Sequence, residues 1–403
     1  MSRKLEQLIA DNHAELYALH AITAGGYAHN KNGLRWTNAG STHNGNILFP
    51  ETPTSELLNE IMDDYAVHPP GGIGCWSLLP APANLEALLL ARGFQTGWQP
   101  CWMVLELPLL HNNFKTPEGL IITNDNTTPT THLRELPYAG EDTAISRELM
   151  TAYPERAQRF LAWMDGEIVA QSAVFFSEVA GIYNVGVLPG LRGKGIGKAV
   201  TVAACEYARQ SGYQYATLNA TPPGQHIYTQ MGFKKLGSGI TWWMPKYREV
   251  PERQTAIAEA VGLGQIDVLE TLAPEELQQQ ISNGMTLLQL ATQCKQRKVI
   301  EWLIAHEATL KPLDAWDLGL KDRATAMLAA DPDAVNILYM EYHGTLLHIA
   351  ALRNDIDLAR LALRYHPDLT IADSQHCSTP EGWAMFFRRK EILDLLKSHA
   401  ADR

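Results

Sequence analysis

Residues 186–199 read GVLPGLRGKGIGKA, with five glycines and three basic residues in one short stretch. They lie between an apolar run, IYNVGVL (182–188), and a helical pattern, KAVTVAACEYARQSG (198–212). A helix beginning near Gly193 leaves its first backbone N–H groups without intrahelical partners, and such a set of donors binds anions. Gly193, Gly195 and Gly197 have no side chain to obstruct a phosphate, and Arg192, Lys194 and Lys198 add positive charge around it. Spacing excludes two other phosphate-binding patterns. A P-loop needs Lys and Ser or Thr after its last glycine, whereas Gly195 is followed by Ile196 and Gly197; G-x-G-x-x-G is also absent.

The elements around this loop follow from hydrophobic pattern. Runs of strand length, FLAWM (160–164), IVAQSAVFF (168–176), IYNVGVL and YATLNA (215–220), alternate with helical patterns, which implies an α/β sandwich. The polar stretch LLHNNFKTPEG (109–119) reads as a linker before this unit, and strand signals stop after VPERQ (250–254).

Val187, Pro189, Arg192, Gly193, Gly195, Ile196 and Gly197 form V-x-P-x-x-R-G-x-G-I-G, which resembles the acyl-CoA signature of GNAT-type N-acetyltransferases. Downstream, GQHIYTQMGF (224–233) carries a Y-x-x-x-G-F ending at Tyr228, Gly232 and Phe233 that is similar to the same family's. The resemblance implies that the amides of Arg192, Gly193, Lys194, Gly195, Ile196, Gly197 and Lys198 hold the pyrophosphate of acetyl-CoA. It also implies that Val185, Gly186 and Val187 run beside the pantetheine arm, with Val187 nearest the acetyl carbonyl.

An amine attacking a thioester builds charge on the carbonyl oxygen and expels a thiolate, so the site needs a donor for the oxygen and an acid for the sulfur. By the resemblance, Tyr228 is the general acid. Many relatives place Asn seven residues before that tyrosine and Ala four before; here Thr221 and Gly224 stand there, and Thr221 is the pantetheine contact at that position. No general base is legible. Asn184 stands at a strand position where some relatives use a carboxylate, and Glu178 reads as a turn residue.

The first hundred residues echo the second unit. LEALLLARGFQTG (85–97) followed by WMVLEL (102–107) parallels MGFKKLG (231–237) followed by ITWWMP (240–245), with Leu89 at the position of Tyr228. Leucine cannot donate a proton, and GGIGCW (71–76) lacks the arginine of the signature. This segment resembles a degenerate GNAT lobe. Trp36, Asn46 and Trp76 are its candidate substrate contacts, and core packing or turn formation would account for each equally well.

The last third has its own period. NGMTLLQLA (283–291) and HGTLLHIA (343–350) are near copies, and STPEGWA (378–384) follows with Thr379 34 residues after Thr345. The pattern resembles four or five ankyrin repeats, in which His348 is a turn-stabilising residue. No His or Cys stands at metal-ligand spacing from it, so no metal is expected. The expected fold is therefore α/β, two tandem GNAT lobes of mixed sheet flanked by helices (1–110 and 119–248), followed by an all-α ankyrin-repeat solenoid (252–403).

Composition limits the partners. A formal charge of −11 argues against an electrostatic grip on nucleic acid, and no stretch has the roughly 20 consecutive apolar residues of a membrane span. The N-terminal MSRKLEQLIADNHAELYALH reads as a surface helix. Cys75, Cys101, Cys205, Cys294 and Cys377 are odd in number and scattered, which points to a reducing cytoplasm. The leading expectation is acetyl transfer to a primary amine of a small molecule: an amino acid, polyamine or amine-bearing antibiotic. Two other readings remain open: a protein acetyltransferase whose ankyrin repeats recruit the target, and a non-catalytic CoA-responsive regulator. The repeats could bind a protein or pair two chains.

Overall fold

A computed structural model describes residues 5–111, 115–140, 143–306, 308, 310–339 and 342–401. The linker read at 109–119 lies partly outside them. The chain forms two compact units, one of Met1–Pro82 with Thr96–Tyr247 and one of Ala83–Gln95 with Arg248–Arg403. No described helix is long and apolar enough to cross a membrane.

The first unit is a mixed sheet flanked by helices. Its principal strands are β1 (Tyr27–Lys31), β2 (Leu34–Asn38), β3 (Asn44–Leu48), β4 (Gly72–Leu78), β5 (Cys101–Glu106), β6 (Ile121–Asn124), β7 (Ala157–Met164), β8 (Glu167–Phe176), β9 (Ala180–Val187), β10 (Tyr215–Ala220) and β11 (Lys234–Met244). They run side by side in the order β1-β2-β3-β4-β11-β5-β10-β9-β8-β7-β6. β11 is long enough to serve two neighbours. Lys234 to Ser238 pair with β5, and Gly239 to Met244 pair with β4. The two strands that echo each other in sequence are thus exchanged: β5 lies against β10 of the later segment, and β11 ends against β4 of the earlier one.

β8 is buried along nearly its whole length because both its faces are covered, which explains its unbroken apolar run. The helix Ile196–Gln210 covers one face. Its buried residues Ile196, Ala199, Val200, Ala204, Cys205 and Ala208 recur at helical spacing and pack with Phe160, Val174, Phe176 and Ile182. On the N-terminal helix Leu5–Thr23, buried Asn12 is the anchor. Its amide donates to the carbonyls of Phe175 and Val179 and to Ser177 Oγ, at 3.2, 3.1 and 2.8 Å.

The second unit is helical. It opens with Leu85–Ala91, which packs beside Glu252–Leu263 so closely that a Cβ on Gly262 would lie 2.8 Å from Ala87 Cβ. Arg92, next in the chain, is buried and paired with Glu259 at 2.5 Å, and Asn283 donates to the carbonyl of Phe94 at 2.7 Å. The echoed helix therefore groups with the helical unit. Later helices begin at Thr286, Thr345 and Thr379, all N-caps. His348 Nδ1 accepts from the Thr345 backbone N–H at 3.0 Å, and its Nε2–H donates to the Ser378 carbonyl at 3.0 Å. Both nitrogens are used structurally, and burial lowers the imidazole's pKa.

Candidate active site

The site is assembled where two parallel strands part. β9 and β10 pair only from Ala180↔Ala216 to Ile182↔Leu218, while β10 continues beside β5 to Ala220. Beyond Ile182, β9 carries a bulge between Tyr183 and Gly186, with Asn184 at φ +51°. A bulge with one residue in the left-handed region turns local backbone groups out of the ladder. Val185, Gly186 and Val187 lie at this opened edge, and ligands in open α/β sheets bind beyond the carboxyl ends of such strands.

Both loops that follow those ends carry predicted residues. After β9, Pro189–Leu191 forms one turn, and the long helix begins at Ile196 with Gly195 as its N-cap. The first intrahelical bond runs from Ala199 N–H to the Gly195 carbonyl, so the N–H groups of Ile196, Gly197 and Lys198 point out of the helix start. Gly193 and Gly195 have φ +78° and +83°, conformations that favour glycine. A Cβ on Gly193 would meet nothing within 4 Å, and one on Gly195 only Pro117 Cγ at 4.0 Å, so the space in front of this turn is open. At Gly197 the limit is packing, since a Cβ there would come within 3.2 Å of Val187. Arg192 and Lys194 are exposed at the rim, and Lys198 is half-buried. An open glycine turn at a helix start, flanked by cations, fits a pyrophosphate.

After β10, Thr221 is the N-cap of the helix Pro222–Gln230; its carbonyl accepts from the N–H groups of Gly224 and Gln225, while its hydroxyl makes no capping bond. Tyr228 stands in the last turn. Gly232, at φ +99°, ends that helix where a Cβ would come within 3.2 Å of Leu105 and of the Leu109 carbonyl, and Phe233 enters the core. The Y-x-x-x-G-F spacing thus places the tyrosine one turn before a glycine stop, beside its own anchor; the two rings meet edge to face at 5.9 Å. A Cβ on Gly224 would lie 2.9 Å from the Tyr228 ring, which accounts for glycine at that position. Burial, with Tyr138 and Cys205 nearby, pushes the Tyr228 phenol well above its ordinary pKa. It stays protonated, a hydrogen-bond donor with no partner among the described residues.

The residues proposed as substrate contacts lie elsewhere. Trp36, Asn46 and Trp76 are buried; Trp36 Nε1 donates to Asp64 at 2.7 Å, and Trp76 Nε1 donates to Asn46 Oδ1 at 3.2 Å. Trp76 packs 4.4 Å from the ring of His13. His13 instead lines a cavity of about 630 Å³, together with Leu16 and Tyr17 of the N-terminal helix, residues 131, 133, 134, 136–140 and 143–145, Tyr183 and Asn184. This cavity opens beside the bulge. Asn12 accepts a hydrogen bond from Tyr183 at 2.8 Å and so ties the N-terminal helix to the bulged strand. Burial lowers the His13 imidazole to about 3 and pushes Tyr17 up to about 12, so both are neutral at working pH. Asn12, His13, Tyr17, Arg134 and Tyr138 were not legible in sequence, because no fixed spacing links them to the loop more than forty residues away. Among the described residues no group of three or more His, Cys, Asp or Glu could hold a metal ion.

Residues 127–233 match the family model described as "Acetyltransferase (GNAT) family". This stretch is a GNAT acetyltransferase domain. The GNAT domain contains the bulge, the glycine turn and Tyr228, and the family generally uses acetyl-CoA. A curated relative, streptothricin acetyltransferase of Streptomyces lavendulae, is 35% identical over 79 residues, covering 18% of this chain and 42% of that protein. The match thus spans less than half the length of that relative. Among solved structures, a GCN5-related N-acetyltransferase from Kribbella flavida is similar with TM-score 0.45 and 17% identity, covering 58% of this chain and 96% of that one. A tandem GNAT protein from the clavulanic acid biosynthesis pathway has TM-score 0.40 and 14% identity, covering 60% of this chain and 96% of that one.

Proposed function

We propose that the protein transfers an acetyl group from acetyl-CoA to a primary amine of a small molecule, within a single ternary complex. One observation carries this reading: β9 and β10 part beside a bulge, and the glycine turn and the Tyr228 helix follow their two carboxyl ends. Bound acetyl-CoA supplies an activated acyl carbon and a sulfur leaving group. The N–H groups from Arg192 to Lys198 hold its pyrophosphate, and the backbone at Val185, Gly186 and Val187 lines the pantetheine path, with Thr221 on the facing side. Tyr228 gives its proton to the departing sulfur, and the proton released by the amine leaves through solvent.

In the same reading the earlier segment is a degenerate lobe that lends the N-terminal helix to the acceptor cavity. The helical unit is an ankyrin stack; its Thr-capped helices and the doubly bonded His348 support this, and its partner is a protein or a second copy of the chain.

The test is CoA thiol release by the full chain, offered small-molecule and protein fractions separately, with Gly195→Glu beside it. Release with small molecules is expected. Release with protein alone would favour a recruiter of protein targets. Gly195→Glu should abolish CoA binding by blocking the turn and opposing the phosphate charge; retained binding by calorimetry would remove the pyrophosphate from this loop.

A further inference from the structure

The cavity beside the bulge has walls of two kinds. Leu16, Leu133, Leu136 and Ile145 supply apolar surface, and Tyr17, Tyr138, Asn184 and Arg134 supply polar groups. None of these four polar side chains has a hydrogen-bond or ion-pair partner among the described residues, so they converge on the cavity with their bonding capacity unspent. An apolar pocket with a few convergent polar groups is the form of a small-molecule site.

Charge narrows the ligand. Three arginines line this cavity and the smaller one that adjoins it at Asn184 and Tyr138. Arg159 is buried and spent: it donates to the carbonyls of Asp125 and Thr128 and to Thr130 Oγ1. Arg147 faces Glu148 at 3.7 Å. Arg134 remains, an exposed lining residue without a hydrogen-bond or ion-pair partner among the described residues. Asn184, by contrast, sits on the bulge itself, next to the strand edge that would hold the acyl group. Its amide oxygen can accept from an amine N–H, and the Tyr17 hydroxyl is neutral and able to do the same.

We propose that the acceptor is an amino-carboxylate, an α-amino acid with a bulky apolar side chain or a molecule built like one. Its amine lies against Asn184 and Tyr17, its carboxylate pairs with the Arg134 guanidinium, and its apolar part fills the wall formed by Leu16, Leu133, Leu136 and Ile145. This rests on the acetyl-transfer reading and narrows it, since a polyamine has no group for Arg134 to hold.

The experiment uses the full chain, acetyl-CoA, and matched acceptors: leucine and phenylalanine, their amides, and spermidine. Acetylated product is measured by mass and kcat/KM by thiol release. The amino acids should be preferred over their amides by tenfold or more, and Arg134→Gln should bring that ratio close to one, through KM. Calorimetric binding of CoA and a circular dichroism spectrum, read on the same variant, check that cofactor site and fold persist. Equal use of acid and amide, an unchanged ratio in Arg134→Gln, or turnover of spermidine alone would overturn the proposal while leaving acetyl transfer standing. Failure of the wild-type chain to bind acetyl-CoA would overturn both.

Discussion

Tyr228 shows what one residue owes to its neighbours. Its position is set by Gly232, which ends the helix, by Phe233, which anchors the end in the core, and by Gly224, which leaves room for the ring. Burial raises its pKa, so it holds its proton through the neutral range, as the proposed general acid must. Tyr228→Phe should leave CoA affinity nearly intact and lower kcat on the order of ~10²-fold, the usual scale of general acid catalysis. Steady-state kinetics beside calorimetry reads both quantities, and an unchanged kcat would give that role to water. These residues could be picked out in the sequence because each answers a local backbone demand: a glycine at positive φ, donors at a helix start. The cavity beside the bulge could not, since Tyr17, Arg134 and Asn184 come together only after folding.

At the scale of elements, the strands and helices were readable from their periods. YATLNA is β10 residue for residue, and the helix read at 198–212 runs Ile196–Gln210. Pairing was not readable. Nothing in WMVLEL or ITWWMP says which neighbour each will take, because an alternating apolar strand satisfies either edge equally well. The bulge at Asn184 was hidden for a related reason, since Asn is tolerated both in a strand and in the left-handed turn that the bulge needs.

In the helical unit, Asp314 offers a test of packing. It is 1% exposed, and its Oδ2 accepts from the Lys311 backbone N–H at 2.6 Å. Burial raises its carboxyl from 3.8 to about 7, so the folded chain keeps a proton that the unfolded chain releases. Stability from this group is therefore full below about pH 4 and is lost as pH rises toward 7, at roughly 1.4 kcal/mol per pH unit. Denaturant melts of the wild type and Asp314→Asn at pH 5 and pH 8 should show the variant gaining relative stability at the higher pH. A difference independent of pH would mean that Asp314 is ionised when folded.

For the whole molecule, the chain order of its parts is not their order in space. Residues 83–95 stand in sequence between strands of the sheet yet belong to the helical unit, where Leu90 and Ala91 pack with Ile257, Ala258 and Val261. A chain ending at Tyr247 would keep the helix Leu85–Ala91 and lose that covering. It should melt well below the full chain or aggregate, because apolar surface worth about 25 cal/mol per Å² returns to water. Thermal melts and light scattering decide this; a truncated chain as stable and monodisperse as the sheet unit within the full protein would show that the helix does not depend on residues 248–403.

The sequence by itself determined the glycine turn, the tyrosine one turn before its glycine stop, the alternation of strands and helices, and the change to a helical rhythm after residue 250. All are local, decided by backbone sterics and hydrophobic period within a few residues. Tertiary structure alone decided the exchange of β5 and β11, the bulge that parts β9 from β10, the helix given to the second unit, and the cavity joining Tyr17, Arg134 and Asn184. Each of these depends on which surfaces meet, and that is a property of burial over the whole chain rather than of any stretch within it.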